Sequence, residues 1–142
     1  MIAMSASSSS IAEQEPAAEI RQWLEDFAAA VRARDFAAGR GLFADGVCAF
    51  GTRADMIEGL ADLEARQWRP IWNSTRGYRF DHDSAAIKVS GEMAWVAITW
   101  HSQGKDATGR WYDRFGRATY VLHHDAGRWV AVHTHHSLAP GR

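Results

Sequence analysis

Apolar positions change their period along the chain, from helical spacing in the first half to alternation in the second. The helical part opens near Pro16, a residue that suits a first helical turn because it lacks a backbone N–H. One apolar stripe at helical spacing follows it: Ile20, Trp23, Leu24, Phe27 and Val31. The pattern predicts a first helix that packs this stripe against the rest of the molecule.

Two further helices are predicted before the alternation begins. A short helix is expected from Asp35 to Phe43, with Asp45-Gly46 ending it and a brief strand over residues 47–50. A longer helix is expected over residues 54–72, and Pro70 should disturb its last turn. The side chains expected to face inward from this helix are Ile57, Leu60, Leu63, Trp68 and Trp72.

From residue 78 onward, alternation predicts strands joined by short turns. Two short strands are expected over 78–81 and 86–89, with a tight turn at Ser90-Gly91. Three longer strands are expected over 94–102, 112–124 and 129–138. Helices first and antiparallel strands afterwards predict one α+β domain over residues 16–142.

Both faces of the long strands are rich in apolar groups. Val96, Ile98 and Trp100 alternate with Trp95 and Ala97, so neither face has the polar pattern of a wet surface. The helices can cover one face. The other face should therefore be covered by a partner, most simply a second copy of the chain.

Composition removes several function classes. The chain has 142 residues with 16 basic and 17 acidic side chains, and no block of one sign favours nucleic acid or an anionic membrane. Cys48 is the single cysteine, so no internal disulfide can form and a cytoplasmic location is expected. Seven tryptophans and six phenylalanines predict a large aromatic core or a cavity lined by rings.

The first 15 residues carry a serine run and no apolar period, which predicts a disordered tail. They have neither a basic start nor an apolar stretch of secretory length, so a signal peptide is not expected. No segment reaches the ~18 consecutive apolar residues that a membrane span needs.

Several motifs resemble the nuclear-transport-factor-2-like superfamily, which includes the SnoaL-like proteins. They are the helical first third, Phe43-Ala44-Asp45-Gly46 before a short strand, and Gly91-Glu92-Met93-Ala94-Trp95-Val96. The ending Trp129-x-x-Val132-His133-x-His135-x-Ser137-x-Ala139-Pro140 is similar to the association domain of calcium/calmodulin-dependent protein kinase II. The resemblance runs from about Ala18 to Pro140.

The resemblance implies a cystatin-like α+β cone. N-terminal helices would pack in the concave face of a strongly curved antiparallel sheet, a conical pocket would open there, and the convex face would dimerise. It also places departures in the pocket. Gly51 stands where the association domain has an acid and steroid isomerases have their catalytic aspartate. Trp100, Tyr120 and His136 stand at the association domain's three basic positions. The missing aspartate disfavours steroid isomerase chemistry, and the replaced charges disfavour ion pairing with simple carboxylates.

Strand parity supports a pocket on its own terms. Positions of one parity on the long strands give a mostly apolar lining with a few polar tips, as a small-molecule cavity needs. Arg114 shares this parity and would supply a cation. The predicted pocket residues are Ile98, Trp100, Arg114, Tyr120, Leu122, Thr134 and His136. The alternative is that these side chains only fill the core beneath the helices.

The other parity predicts a dimer face: Trp95, Ala97, Arg117, Thr119, His133 and His135. His133 and His135 also suggest a metal site, because His101 and His123 could share that face. No further ligand spacing and no nearby glutamate support it, so hydrogen bonding among these groups is preferred and no metal or cofactor is predicted.

Two functions remain open from the sequence. One is a small-molecule-binding domain, with an apolar or aromatic ligand, that forms a homodimer or larger homo-oligomer. The other is an isomerase, cyclase or dehydratase in which His136 and Tyr120 transfer protons on a small cyclic substrate. The sequence favours binding, because glycine occupies the superfamily's usual base position.

Overall fold

The computed structural model describes residues 2–141, with side chains for residues 15–141. The first helix, α1, spans Ile2–Ala33 and includes Pro16, so the helix does not begin at that proline as predicted. The predicted tail over residues 1–15 lies, except for Glu15, outside the residues described with side chains and stays a prediction. The predicted apolar stripe of α1 is confirmed as core: Ile20, Trp23, Leu24, Phe27 and Val31 are all buried.

The second helix, α2, spans Phe36–Arg40, shorter than predicted. Asp35 caps it through a hydrogen bond of 3.1 Å from the Ala38 backbone N–H to its carboxylate. Strand β1, Phe43–Phe50, begins where helix was predicted. The reason is a long-range pairing: β1 runs parallel to the last strand, with a register shift between Phe43 and Cys48 that accommodates Asp45-Gly46.

The predicted third helix is divided into several elements. Its first residues form a two-residue strand β2, Ile57–Glu58, because they pair with β1. Helix α3, Leu60–Leu63, then leads into a π-helical segment, Glu64–Trp68, and helix α4, Arg69–Trp72. Pro70 cannot donate a backbone hydrogen bond and its ring crowds the carbonyl four residues earlier, which accounts for the irregular turn before it.

The four remaining strands are β3, Thr75–Ser90; β4, Met93–Lys105; β5, Trp111–Asp125; and β6, Arg128–Leu138. The two short strands predicted over 78–89 are one strand, β3, with a register shift between Asp81 and Ala86. The predicted turn at Ser90-Gly91 is confirmed, and Gly91 takes the positive φ that this turn needs.

The six strands form one open sheet in the order β2-β1-β6-β5-β4-β3. The sheet is mixed rather than antiparallel as predicted, since β1 and β6 are parallel. Buried and exposed positions alternate along β4, with Val96, Ile98 and Trp100 facing the helices. We call the helix-covered face concave and the opposite face convex.

Two arginines of α1, and Arg34 directly after the helix, cover the free edge of β3. The side chains of Arg21, Arg32 and Arg34 donate hydrogen bonds of 2.9–3.2 Å to backbone carbonyls of His82, Tyr78 and Thr75. An uncovered edge strand invites pairing with another chain, and these bonds occupy its acceptors. They also fix α1 across the sheet, which sets one wall of the cavity described next.

Candidate functional site

A cavity lies between the helices and the concave face of the sheet. The empty space of the cavity, including its open mouth, is about 580 Å³. Within it, a volume of about 50 Å³ can accommodate the centre of a water molecule. Such a volume holds a few waters or one compact ring. The lining residues are Phe27, Val31, Phe43, Phe50, Gly51, Thr52, Leu63, Gln67, Trp68, Ile71, Trp72, Thr75, Tyr78, Trp100, Ser102, Arg114, Thr134 and His136.

Aromatic rings in mutual contact form much of the wall. Trp68 and Trp72 stack with ring centroids 4.7 Å apart, and Phe43 meets Trp68 edge-on at 4.9 Å. On the sheet side, Tyr78 lies 5.5 Å from Trp100. These contacts fix the rings in place, so the wall is preorganised for a flat apolar group.

Gly116 is required for the position of the Trp100 ring. It lies opposite Trp100 on β5, and a Cβ added at this glycine would overlap atoms of the indole. The β4–β5 register runs without interruption past this position, so no bulge alters the facing of β5. The indole can therefore lie flat against the backbone of β5.

Three buried polar groups in the wall are unpaired. Within residues 15–141, the buried side-chain polar atoms without a hydrogen-bond partner are the Tyr78 hydroxyl, Trp100 Nε1 and the Ser102 hydroxyl. Their residues are 6%, 5% and 1% exposed, and all three line the cavity. An unpaired buried polar group costs about 1–3 kcal/mol, so three around one cavity indicate a place where another molecule completes the bonding.

Gln67 occupies the space over Gly51. A Cβ at Gly51 would overlap the Gln67 side-chain amide, so a larger residue there would displace this amide. The amide accepts a bond from the Arg53 backbone N–H and donates one to the Thr52 hydroxyl, each 3.3 Å long. The π-helical segment presents both Gln67 and Trp68 to the interior. The cavity therefore has a neutral amide beside Gly51.

Arg114 is the charged residue among the described residues of the wall. Its guanidinium lies 5.7 Å from the Trp100 ring centroid and donates a long bond of 3.5 Å to the Thr52 hydroxyl. Burial raises the pKa of the Tyr78 phenol, while the Tyr120 hydroxyl and the Arg114 charge oppose that shift. The positive field of Arg114 thus reaches the unpaired hydroxyl of Tyr78.

Tyr120 and His136 form one unit. The Tyr120 hydroxyl is 2.6 Å from His136 Nε2, and Tyr120 is fully buried. Burial, and secondly the proximity of Tyr78, raises the pKa of Tyr120, so it keeps its proton. Burial and, less strongly, His135 lower the pKa of His136 to about 4, so its imidazole is neutral at pH 7.

This shift predicts a pH dependence of stability. The unfolded chain has a histidine pKa near 6.5, so between pH 6.5 and 4 it binds more protons than the folded protein at this site. The contribution of His136 to the free energy of unfolding is complete above pH 6.5. It is lost as pH falls to about 4, and this loss amounts to about 3 kcal/mol. Denaturant unfolding at stepped pH should show His136→Gln with a flatter profile than wild type over this range.

His82→Gln is the matched control, since its imidazole lies at the surface near Glu25. It should keep the wild-type profile. A His136→Gln profile parallel to wild type from pH 6.5 to 4 would contradict the assigned burial of His136.

The structure brings together four of the seven predicted pocket residues. Trp100, Arg114, Thr134 and His136 line the cavity. The prediction was wrong for Ile98, Tyr120 and Leu122, which are buried at 4%, 0% and 0% exposure but lie outside its lining. They share strand parity with the wall, but the helices are packed directly on them, as the 5.1 Å contact of Trp23 with Tyr120 shows. Tyr120 therefore lies behind the wall, next to its members His136 and Tyr78.

Sequence reasoning missed five polar members of the wall: Thr52, Gln67, Thr75, Tyr78 and Ser102. Ser102 shares the parity of Trp100, so one more step along β4 would have found it. Gln67 lies four residues after Leu63, on the apolar side of the predicted helix. Tyr78 was placed on a strand without a role. In β6, a register shift around Val132 means that Val130 does not continue the row of Thr134 and His136.

The predicted dimer-face residues lie together on the convex face. Register places Trp95, Val121 and His133 in one row across three strands, with Ala97, Thr119 and His135 in the next. Trp95 is 44% exposed in the single chain, and Arg117 and His135 are exposed as well. Within residues 15–141, no three side chains of the His, Cys, Asp and Glu types are grouped as a metal ion would need, and the absence of a metal stays a prediction.

Comparison with known families decides the classification. The SnoaL-like domain family matches residues 20–140, nearly the whole described chain. The chain belongs to the SnoaL-like domain family. As a SnoaL-like domain it falls within the nuclear-transport-factor-2-like superfamily, which confirms the predicted resemblance and the cystatin-like α+β fold.

Solved structures share the fold of this SnoaL-like domain. The association domain of calcium/calmodulin-dependent protein kinase II from Caenorhabditis elegans has a TM-score of 0.72 at 22% identity, covering 89% of this chain and 98% of that one. A putative dehydratase of the nuclear-transport-factor-2-like family from Streptomyces avermitilis has a TM-score of 0.75 at 18% identity, covering 91% of this chain and 99% of that one. A protein of unknown function from Pseudomonas putida has a TM-score of 0.71 at 26% identity, covering 86% of this chain and 87% of that one.

No curated protein matches this SnoaL-like domain significantly. Among the described residues, no helix has the length and apolar character to cross a membrane.

Proposed function

We propose that this SnoaL-like domain binds a small molecule with an apolar or aromatic body in the cavity. The observation that carries the proposal is the set of three buried, unpaired polar groups within a wall of aromatic rings. Rings supply apolar contact area, and the polar groups would orient the ligand. We also propose that residues 16–142 form the functional domain and that it works in the cytoplasm.

Binding should perturb tryptophan fluorescence, because Trp68, Trp72 and Trp100 line the cavity. A thermal-shift screen of compact ring compounds, followed by fluorescence titration, would find ligands. Trp100→Ala should weaken any such ligand by at least about tenfold through lost contact area. His136→Ala should act mainly on ligands with a hydrogen-bonding group.

Trp100→Phe keeps a ring in the wall and serves as a control for folding. A ligand whose affinity is unchanged in both Trp100→Ala and His136→Ala would show that it binds elsewhere. If every ligand found behaves in that way, the cavity is only part of the core.

We propose further that the convex face forms a homodimer, which larger assemblies could extend. Trp95 at 44% exposure and Met93 at 42% leave apolar area on a face that no helix covers. Exposed patches of this kind are typical of interaction surfaces. The similarity in fold to a kinase association domain is consistent with self-association.

Sedimentation equilibrium at micromolar concentration should show at least a dimer, and Trp95→Glu should shift it to monomer. Met56→Glu is the control: Met56 is equally exposed at 48% but lies in the segment between β1 and β2. A stable wild-type monomer would contradict the proposal, as would equal dissociation in the two variants.

A second candidate is an isomerase, cyclase or dehydratase that uses His136 and Tyr120. The observation that favours it is the 2.6 Å Tyr120–His136 pair at the cavity wall. Some proteins of similar fold are described as a putative ketosteroid isomerase and a putative dehydratase. Turnover of a cyclic substrate that is lost in His136→Gln would support this candidate, whereas a ligand bound without change would support binding alone.

A further inference from the structure

We propose that the ligand of this cavity is a compact ring-bearing carboxylate, held at its oxygens by Tyr78, Trp100 and Ser102 with Arg114 as counter-charge. The proposal rests on the small-molecule-binding function proposed above and names the ligand class for that site. The carboxylate would lie against β3 and β4, and the ring would lie among the aromatic side chains of α1, α4 and the π-helical segment.

The number of donors decides between ligand head groups. Trp100 Nε1 can only donate, and the hydroxyls of Tyr78 and Ser102 can each donate once. Strand register brings the three donors close together. Trp100 and Ser102 are two residues apart on β4. Tyr78 lies on the adjacent strand β3, between the residues that pair with Gln103 and His101 of β4. A carbonyl oxygen accepts two hydrogen bonds, whereas the two oxygens of a carboxylate accept about four. Three neutral donors and a guanidinium match the carboxylate.

The charge of the wall also favours a carboxylate ligand. No aspartate or glutamate is among the described residues that line the cavity, and Arg114 supplies a positive charge. An outer groove shares Thr52, Ile71 and Arg114 with the cavity and adds the cations Arg53 and Lys105 against one carboxylate, Asp113. This positive approach would steer anions toward the mouth.

The Tyr120–His136 pair adds no competing acceptor. Tyr120 is fully buried and its hydroxyl lies 2.6 Å from His136 Nε2, so a proton donated to that nitrogen is paired. A neutral imidazole that accepts at Nε2 carries its proton on Nδ1. In this arrangement the pair is neutral and adds no negative charge beside the cavity.

Burying a carboxylate is unfavourable unless its charge and lone pairs are compensated. Here the compensation is already built, because the donors are fixed in the wall and unpaired before the ligand arrives. The aromatic contacts around Phe43, Trp68 and Trp72 would bind the ring of the ligand. Small carboxylates without a ring lack this contribution and should bind weakly.

Calorimetric titration with benzoate and benzamide at pH 7 tests the proposal, because the two probes share size and ring and differ in charge and acceptor number. Benzoate should bind wild type at least about tenfold more tightly than benzamide, as charge-assisted hydrogen bonds predict. Tyr78→Phe and Ser102→Ala should each weaken benzoate about tenfold. Arg114→Gln should remove most of the preference for benzoate over benzamide.

Ser90→Ala, an exposed serine in the β3–β4 turn, is the control for Ser102→Ala and should leave both affinities unchanged. Equal affinity of wild type for benzoate and benzamide would overturn the carboxylate proposal and leave the binding function standing. Failure of both probes and of neutral ring compounds to bind at millimolar concentration would overturn both proposals. Circular dichroism of each variant separates lost contacts from lost folding.

Discussion

Gly116→Ala should destabilise the protein by about 3 kcal/mol and abolish ligand binding at the cavity. The added Cβ would overlap the indole of Trp100, which is buried and also packs against the Tyr78 ring at a centroid distance of 5.5 Å. Overpacking a core by one methyl group costs about 1–3 kcal/mol, and here both the ring and the β5 backbone are fixed. Denaturant unfolding and fluorescence titration measure the two effects.

Gly46→Ala is the matched control. Gly46 also lies in a strand, but a Cβ there meets nothing within 4 Å. We expect a change within about 0.5 kcal/mol and unaltered binding. If the two variants were equally stable, the assigned contact between Gly116 and Trp100 would be wrong.

Tyr78→Phe and Tyr120→Phe should change stability in opposite directions, although the chemical change is identical. The Tyr78 hydroxyl is buried without a partner, so its removal should raise the free energy of unfolding of the ligand-free protein by about 1 kcal/mol. The Tyr120 hydroxyl bonds His136 at 2.6 Å, so its removal should lower the free energy of unfolding by about 1–3 kcal/mol.

Denaturant unfolding of both variants at pH 7 without ligand checks the sign of each change. Tyr78→Phe should also lose affinity for ligands that carry oxygen acceptors, and this combination is typical of a binding residue rather than a structural one. A fall in stability with Tyr78→Phe as large as that with Tyr120→Phe would show that Tyr78 has a partner in the free protein.

Much of the sheet follows from local pattern, and so does half of the site. Alternation along β4 and β5 placed Trp100 and Arg114 on the concave face and Trp95 on the convex face, because the side-chain period of a strand is fixed at two. The same parity could not separate Trp100 from Ile98. Which concave residues line a cavity depends on where the helices fail to fill the space.

Other errors came from pairings between distant segments. Helical periodicity over residues 54–72 was interrupted because Ile57 pairs with Ala49 on β1. The parallel pairing of β1 with β6 joins segments more than eighty residues apart, and no local signal specifies it. The register shift around Val132 likewise depends on β5 and re-aims Thr134 and His136.

Gln67 shows how packing sets the polarity of the wall beside Gly51. The sequence shows a glycine at position 51 where an acid was expected, and by itself this suggests an empty place. The structure shows that the Gln67 amide fills it, from a different element and without charge. Tertiary packing, rather than the identity of residue 51, decides the polarity of that part of the wall.

The most direct measurement is a crystal structure of the protein grown with benzoate. We expect density for a ring between Trp68 and Trp100, with its carboxylate oxygens within hydrogen-bonding distance of the Tyr78 hydroxyl, Trp100 Nε1 and the Ser102 hydroxyl. A cavity closed by its own side chains would contradict the proposed binding site. So would these three groups being bonded to other protein atoms while benzoate lies elsewhere on the molecule.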